Sequence, residues 1–361
     1  MNQAWIVSFM ITVMTLSASP VRAQPTVSAA DPRLQYWGRW DLRHPAEAGA
    51  ITVNTGSTIL IAFTGPGAVL HFGMDHYPAE LPTLWLRIDD GAWRVVRPAE
   101  SLRITDAPLD AGRHVVRLVV KGFREWDRRW EPPLESSLVF RGMTLDAGAK
   151  LLDPPARPKH VIEYFGDSIT EGVLTHYDGR KAWERPLWPD YSDGRQGWAY
   201  QSARRVGAEP RVVGFGRLGL TIGGNGGVPV AIESCAEVYH GVPVDRSRQP
   251  DVVVVNLGTN DGGRDAATVG RLYAAYLERI RRLYPNARLL ALQPFNGAHG
   301  RVIERVVRER VKAGDARVTF VDTTGWITSG KHTSDAVHLN VAGHERAAEQ
   351  LVPFLRRTLA D

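Results

Sequence analysis

The sequence predicts an α/β protein in two parts, an N-terminal β-sandwich followed by a three-layer α/β/α unit built on a parallel sheet. Three observations carry this. Between Leu34 and Gly148, short alternating or β-rich runs are broken by Gly, Pro and Asp, with no helical period among them. Leu152-Asp-Pro-Pro-Ala-Arg-Pro158 then forms a stiff connector. Beyond it, apolar strand-like runs alternate with longer helical stretches, the pattern of a parallel sheet covered by helices on both faces.

The chain divides accordingly into 1–23, 34–150, 151–159 and 160–361. Residues 1–23 carry an apolar run from Ala4 to Leu16, then a polar stretch ending in Val21-Arg22-Ala23, a small-x-small cleavage pattern. At about 1.5 Å per residue the run reaches ~20 Å as helix, short of a ~30 Å hydrocarbon core. It reads as a cleaved secretion signal, leaving no membrane partner. Residues 24 to about 33 read as a disordered lead-in.

In the β-sandwich, strands are expected at 51–53, 57–64, 69–74, 84–88, 93–96, 114–121 and 138–145. The hairpin from Leu84 to Val96 is expected to turn on the left-handed conformation of Asp90-Gly91. In the α/β part, strands are expected at 161–165, 211–214, 252–257, 288–293 and 318–322. Helices are expected at 198–206, 266–283, 302–311 and 342–358.

Composition excludes several classes. With 361 residues, 43% hydrophobic and 23% charged, the chain is an ordinary soluble protein of about two domains. The formal charge is +5, and all but six of the 44 basic residues are scattered arginines, so no basic block points to a nucleic-acid partner. The densest cluster, Lys121 to Arg129, is interleaved with acidic residues and tryptophan and reads as a solvated strand end or loop. Cys235 is the single cysteine, which rules out an intrachain disulfide and reads as a small buried hydrophobe. No CxxC or HExxH pattern is present, so neither a metal nor another cofactor is expected.

Active sites of parallel sheets gather in the loops after the carboxyl ends of the strands. Here those loops hold Gly166-Asp-Ser-Ile-Thr170, Gly214-Phe-Gly-Arg-Leu-Gly-Leu-Thr221, Gly258-Thr-Asn-Asp261 and Asp335-Ala-Val-His338. Ser168 alone could be a helix N-cap. Together the loops supply what ester hydrolysis needs: Ser168 as nucleophile, His338 as base, and Asp335 three residues earlier to orient the imidazole. Ser168 N–H, Gly219 N–H and the Asn260 amide are the oxyanion donors. Asp167, beside the serine in a tight turn, points away and reads as structural.

These four loops resemble the blocks of the SGNH (GDSL-type) hydrolase superfamily, over about residues 160–358. The resemblance implies the same Ser168, Gly219, Asn260 and His338 set. In the second block the usual asparagine is Gly214 here, and Gly216, Gly223 and Gly224 are alternatives to Gly219. Upstream, Leu109-Asp-Ala-Gly-Arg-His114 and Phe140-Arg-Gly-Met-Thr-Leu-Asp146 are similar to family two of the carbohydrate esterases, although Lys121-Gly-Phe-Arg-Glu125 departs from that family's usual Lys-Arg-Thr-Glu. That resemblance implies a jelly-roll-like domain ahead of an SGNH domain, and removal of O-acetyl groups from a carbohydrate. A lipase, thioesterase or arylesterase on the same scaffold, or a non-catalytic carbohydrate-binding protein, are the competing readings.

Sugar sites favour flat aromatic faces. Trp183, Trp188 and Tyr191, with Tyr177 and Trp198 in the same stretch, and Trp326 shortly before His338, are the candidate substrate-binding residues.

Overall fold

The computed structural model describes residue 1 and residues 24–78, 80–179 and 188–360; the expected leader and Trp183 lie outside them. Among the described residues, eleven N-terminal strands form two antiparallel sheets. One holds β1 Thr26–Ser28, β3 Ala50–Thr52, β5 Ala68–Phe72, β8 Leu102–Arg103 and β10 Leu138–Leu145. The other holds β2 Gln35–Trp37, β4 Thr58–Thr64, β6 Thr83–Ile88, β7 Arg94–Val96, β9 Arg113–Gly122 and β11 Lys150–Leu152. Alternate residues Ile59, Ile61 and Phe63 of β4 meet Leu70, Phe72, Phe140 and Met143 across the sandwich, all buried. Each such side chain contributes about 1.5–3 kcal/mol.

Three local expectations change. Thr26–Ser28, expected to be disordered, pairs antiparallel with β10, whose edge it satisfies. Leu151 and Leu152, expected in the connector, pair with Phe63 and Ala62 of β4. In the Leu84–Val96 hairpin the left-handed residue is Asp89, at φ 50°, rather than Asp90-Gly91. The Asp89 carboxylate accepts Val115 N–H at 2.7 Å and meets His114 Nδ1 at 2.8 Å, which holds an otherwise unfavourable backbone in place.

Strands β12 Val161–Gly166, β13 Glu209–Gly214, β14 Val252–Asn256, β15 Arg288–Leu292 and β16 Val318–Val321 form a wholly parallel sheet in the order β13-β12-β14-β15-β16. Among the described residues, seven α-helices accompany it: α1 Ser168–Glu171, α2 Trp188–Tyr191, α3 Trp198–Arg205, α4 Ala231–Ser234, α5 Ala266–Leu283, α6 Gly300–Lys312 and α7 Val341–Ala360. Val253 and Val255 pack on one side with Tyr273 and Leu277 of α5 and Ile303 of α6. Val252 and Val254 pack on the other with Ala203 of α3 and Leu351 of α7. The two-residue period of β14 thus sorts its valines into the two outer interfaces of a three-layer unit.

The two parts share interior. Val119 of β9 lies in the same core as Tyr164 and Trp198. Arg39, fully buried, meets Glu163 Oε1 at 2.8 Å and donates to the carbonyls of Cys235 and Glu237 at 2.8 Å each. Cys235 is buried, as expected of a small hydrophobe.

Candidate active site

Register brings the strand ends to one level: Gly166 pairs with Gly214 on one side and Asn256 on the other. The backbone of α1 crosses directly above. A Cβ on Gly166 would come within 2.0 Å of Thr170 Oγ1, and one on Gly214 within 2.5 Å of Glu171 N. A glycine at 214 fits this crossing, since the helix backbone occupies the space a side chain would need.

Ser168 is the first residue of α1. Asp167 caps the helix, its Oδ1 accepting Ile169 N–H at 3.0 Å, and burial pushes this carboxyl up to about 6. Asp167 is therefore occupied structurally, as its sequence position suggests. The Ser168 N–H sits where a helix has no internal acceptor and is free for a ligand.

His338 lies 170 residues away in sequence, and its Nε2 is 2.9 Å from Ser168 Oγ. On the other side of the ring, Nδ1 is 2.8 Å from Asp335 Oδ2. Asp335 Oδ1 also accepts the N–H groups of Val337 at 2.7 Å and His338 at 2.6 Å, so one tight turn holds both partners. Burial pulls the imidazole down, but the Asp335 hydrogen bond and charge, with Glu125 and Asp167 beyond, outweigh it, and His338 ends above its ordinary value. Burial alone would raise Asp335; its bonds to His338 and to backbone bring it to about 2.

The loop after β13 is tied down by carboxylates from the other loops. Glu171 Oε2 accepts Gly216 N–H at 2.7 Å, while the Asp261 carboxylate accepts Leu220 N–H at 2.9 Å and Thr221 N–H at 2.8 Å. Asn260 Nδ2 donates to Leu218 O at 3.0 Å, which leaves its other amide hydrogen for a ligand. Gly219 meets Asp261 so closely that a Cβ there would fall 2.9 Å from Oδ2. Its N–H donates to Ile222 O at 2.9 Å, and that turn bond must be exchanged before Gly219 can serve an oxyanion. Gly216 and Gly224 are no freer, their N–H groups being held by Glu171 and by Val228 O at 2.8 Å.

Residues 164–346 match the GDSL-like Lipase/Acylhydrolase family, half of the chain and all four loops. The chain belongs to that family. Over 349 residues this GDSL-family chain is 26% identical to the cellulase/esterase CelE of Acetivibrio thermocellus, a match covering 91% of this chain and 40% of CelE. It therefore spans well under half of that relative's length. Among solved structures, a family two carbohydrate esterase from Clostridium thermocellum in complex with cellohexaose aligns at TM-score 0.74 and 23% identity, over 91% of this chain and 99% of that one. A family two carbohydrate esterase from Cellvibrio japonicus aligns at 0.76 and 18%, over 94% and 99%. The acetyl xylan esterase Est2A from Butyrivibrio proteoclasticus aligns at 0.75 and 20%, over 93% and 99%. These likenesses establish that the GDSL unit and the preceding antiparallel sheets form one known two-part fold.

Of the expected aromatic platform, Trp188 and Tyr191 lie half-buried on α2. Trp326 does not belong to it: at 7% exposure it packs between Phe295 and Phe354 in the core behind α7. Trp198 is fully buried against Tyr164.

The Lys121–Arg129 cluster is solvated only in part: Trp126 and Arg128 are exposed, but three of its charged residues are interior. Lys121, Glu125 and Arg129 are 4%, 4% and 1% exposed. Lys121 Nζ donates to the carbonyls of Asp190 at 2.6 Å and Ser192 at 2.7 Å, pinning α2 to β9. Arg129 meets Glu171 Oε1 at 2.5 Å with its guanidinium over Phe123 and Phe215. Glu125 is pushed up by burial and then by the Glu171 charge, and its own charge reaches His338. The antiparallel part thus contributes charged groups to the site. The only local signal was the alternation of acid and base in this stretch, which is equally typical of a surface.

Among the described residues, no cluster of three or more His, Cys, Asp or Glu side chains is placed to hold a metal ion.

Proposed function

We propose that this protein is a secreted serine esterase that removes O-acetyl groups from a carbohydrate through an acetyl-Ser168 intermediate. The observation that carries it is the continuous chain Ser168 Oγ, His338, Asp335, at 2.9 and 2.8 Å, beside two unengaged donors, Ser168 N–H and one Asn260 amide hydrogen. Support for a carbohydrate comes from the likeness to CelE and to an esterase holding cellohexaose. Secretion rests on the leader pattern. Among the described residues, no helix is long and apolar enough to cross a membrane.

In this reading Ser168 Oγ attacks the acetyl carbonyl carbon as its proton passes to His338 Nε2, and Asp335 stabilises the imidazolium that forms. The oxyanion takes hydrogen bonds from Ser168 N–H and Asn260, joined by Gly219 N–H once it leaves Ile222. Collapse breaks the bond to the sugar oxygen, which receives the proton from His338. Water then attacks the acetyl-serine, giving its proton to His338; acetate leaves and Ser168 Oγ recovers a proton. Trp183, Trp188 and Tyr191 are the faces proposed for the sugar.

Acetate release from acetylated xylan, glucomannan, pectin and sialic acid, compared with hydrolysis of an octanoyl ester, tests this. Release from one polysaccharide that disappears in Ser168→Ala is expected. Preference for the octanoyl ester, or full activity in Ser168→Ala, would overturn it.

A further inference from the structure

Where the outer face of the β6–β9 sheet meets α3 and the start of α7 there is a cleft of about 600 Å³, within the range of ligand sites. Its walls carry Arg87, Arg117, Arg195, Arg204 and Arg205, with Glu345 as the acidic lining residue. This concentration of like charge is built into the fold. Arg87 and Arg117 stand directly opposite each other in the β6–β9 ladder, an arrangement that is unfavourable on its own.

Counterions relieve it only in part. Arg205 takes Glu345 and Glu349, at 3.4 and 3.5 Å, and Arg87 takes the exposed Asp90 at 2.8 Å. Arg87 Nε is buried and without a hydrogen-bond partner. Arg117, Arg195 and Arg204 have no carboxylate partner among the described residues. Two of these are instead stacked on indoles: Arg195 lies 4.3 Å from the ring centre of Trp93 and 5.1 Å from that of Trp85, and Arg204 lies 5.1 Å from that of Trp37. Burial, then Arg204 and Arg87, pull Arg117 down, and burial pulls Arg195 down despite Asp193 nearby.

Guanidiniums held by their faces keep N–H groups at their edges for a ligand, Arg204 giving only one, at 3.4 Å, to Ala208 O, and such edges match a planar oxyanion in bidentate geometry. We propose that this cleft is a second binding site, for the carboxylate groups of an acidic carbohydrate. A single-stranded nucleic acid fits less well. Bases need open aromatic faces, and Trp93 is already flanked by Arg195 and by Arg87, the latter at 5.6 Å. Val341, three residues after His338, lines the cleft, so a uronate-bearing chain held here would lie against the helix that follows the histidine. That the ligand is a carbohydrate rests on the esterase reading; that it is an oxyanion does not.

Calorimetric titration of the full chain with unacetylated oligogalacturonate, a neutral xylo-oligosaccharide, sodium sulfate and oligothymidylate tests the site without any turnover. The oligogalacturonate should bind more tightly than the other three, and weaken as salt is raised. Arg117→Gln with Arg204→Gln should weaken it at least about tenfold, and Arg204→Gln alone should weaken it in part. Removing mutually repelling charges should leave the melting temperature of both variants no lower than the parent's. Unchanged affinity in the variants, sulfate binding as tightly as the oligosaccharide, or tighter binding of oligothymidylate would each overturn the proposal. Because no acetyl group is present, absence of binding here overturns this proposal and leaves the esterase reading untouched, while absence of acetate release leaves the oxyanion site untouched and removes only the ground for a carbohydrate carrier.

Discussion

Glu125 occupies the space that a side chain at position 216 would need: a Cβ on Gly216 would lie 1.6 Å from Glu125 Oε2. The two residues come from different parts of the molecule, Glu125 from just beyond β9 and Gly216 from the loop after β13. Their contact makes the antiparallel part a wall of the active-site loop.

Gly216→Ala is expected to destabilise the protein by about 1–3 kcal/mol, since the buried Glu125 side chain must shift to make room. Glu125→Ala should restore much of that loss in the double variant. Chemical denaturation of the four proteins checks it, and additive losses would show that the contact is not what confines position 216.

Glu125→Gln should move the acidic limb of the kcat/KM profile to lower pH. The base works only when His338 is neutral, and nearby negative charge raises the imidazole above its ordinary value, so activity falls as pH drops through that raised value. Glu125 is itself raised to about 7 by burial and then by the Glu171 charge, so it carries only part of its charge in that window, and its removal lowers His338 by less than loss of Asp335 would. A profile of unchanged shape would show that Glu125 is only a packing residue.

Asp335→Asn should shift the same limb further in the same direction, because Asp335 is the larger influence on His338. It should also cut turnover by up to about ten-thousand-fold through loss of the oriented tautomer. His338→Ala should cost more still. Equal wild-type rates in both variants would place the base elsewhere.

Asn260→Ala should lower turnover roughly 100- to 1,000-fold, about 3–4 kcal/mol of transition-state stabilisation, in a protein that remains folded. Single-turnover acetylation of Ser168 is the direct measurement. A change in KM alone would assign Asn260 to substrate binding instead.

Much of the site was legible because its chemistry is local. The Asp335-x-x-His338 spacing puts carboxylate and imidazole in one turn, and Gly166-Asp-Ser168 follows a buried β-branched run as a strand-to-helix corner must. The helix Ala266–Leu283 coincides with its expected limits, since Asp265 caps it and its apolar stripe is regular. What a strand-end loop faces across the molecule leaves no such mark. Trp326 near His338 in sequence is core in space, and the N–H of Gly219 is bound to Ile222 by a turn that spacing does not reveal.

By itself, the sequence determined the succession of antiparallel sandwich and parallel sheet, and the residue types at the strand ends, because both follow from hydrophobic period and turn chemistry within a few residues. The tertiary structure alone decided that Lys121, Glu125 and Arg129 are interior, and that Arg117 and Arg204 share a cleft. Burying a charge is tolerable only when partners such as Glu171 and the carbonyls of Asp190 and Ser192 are brought to it. Those partners lie between 42 and 71 residues away, beyond any local pattern.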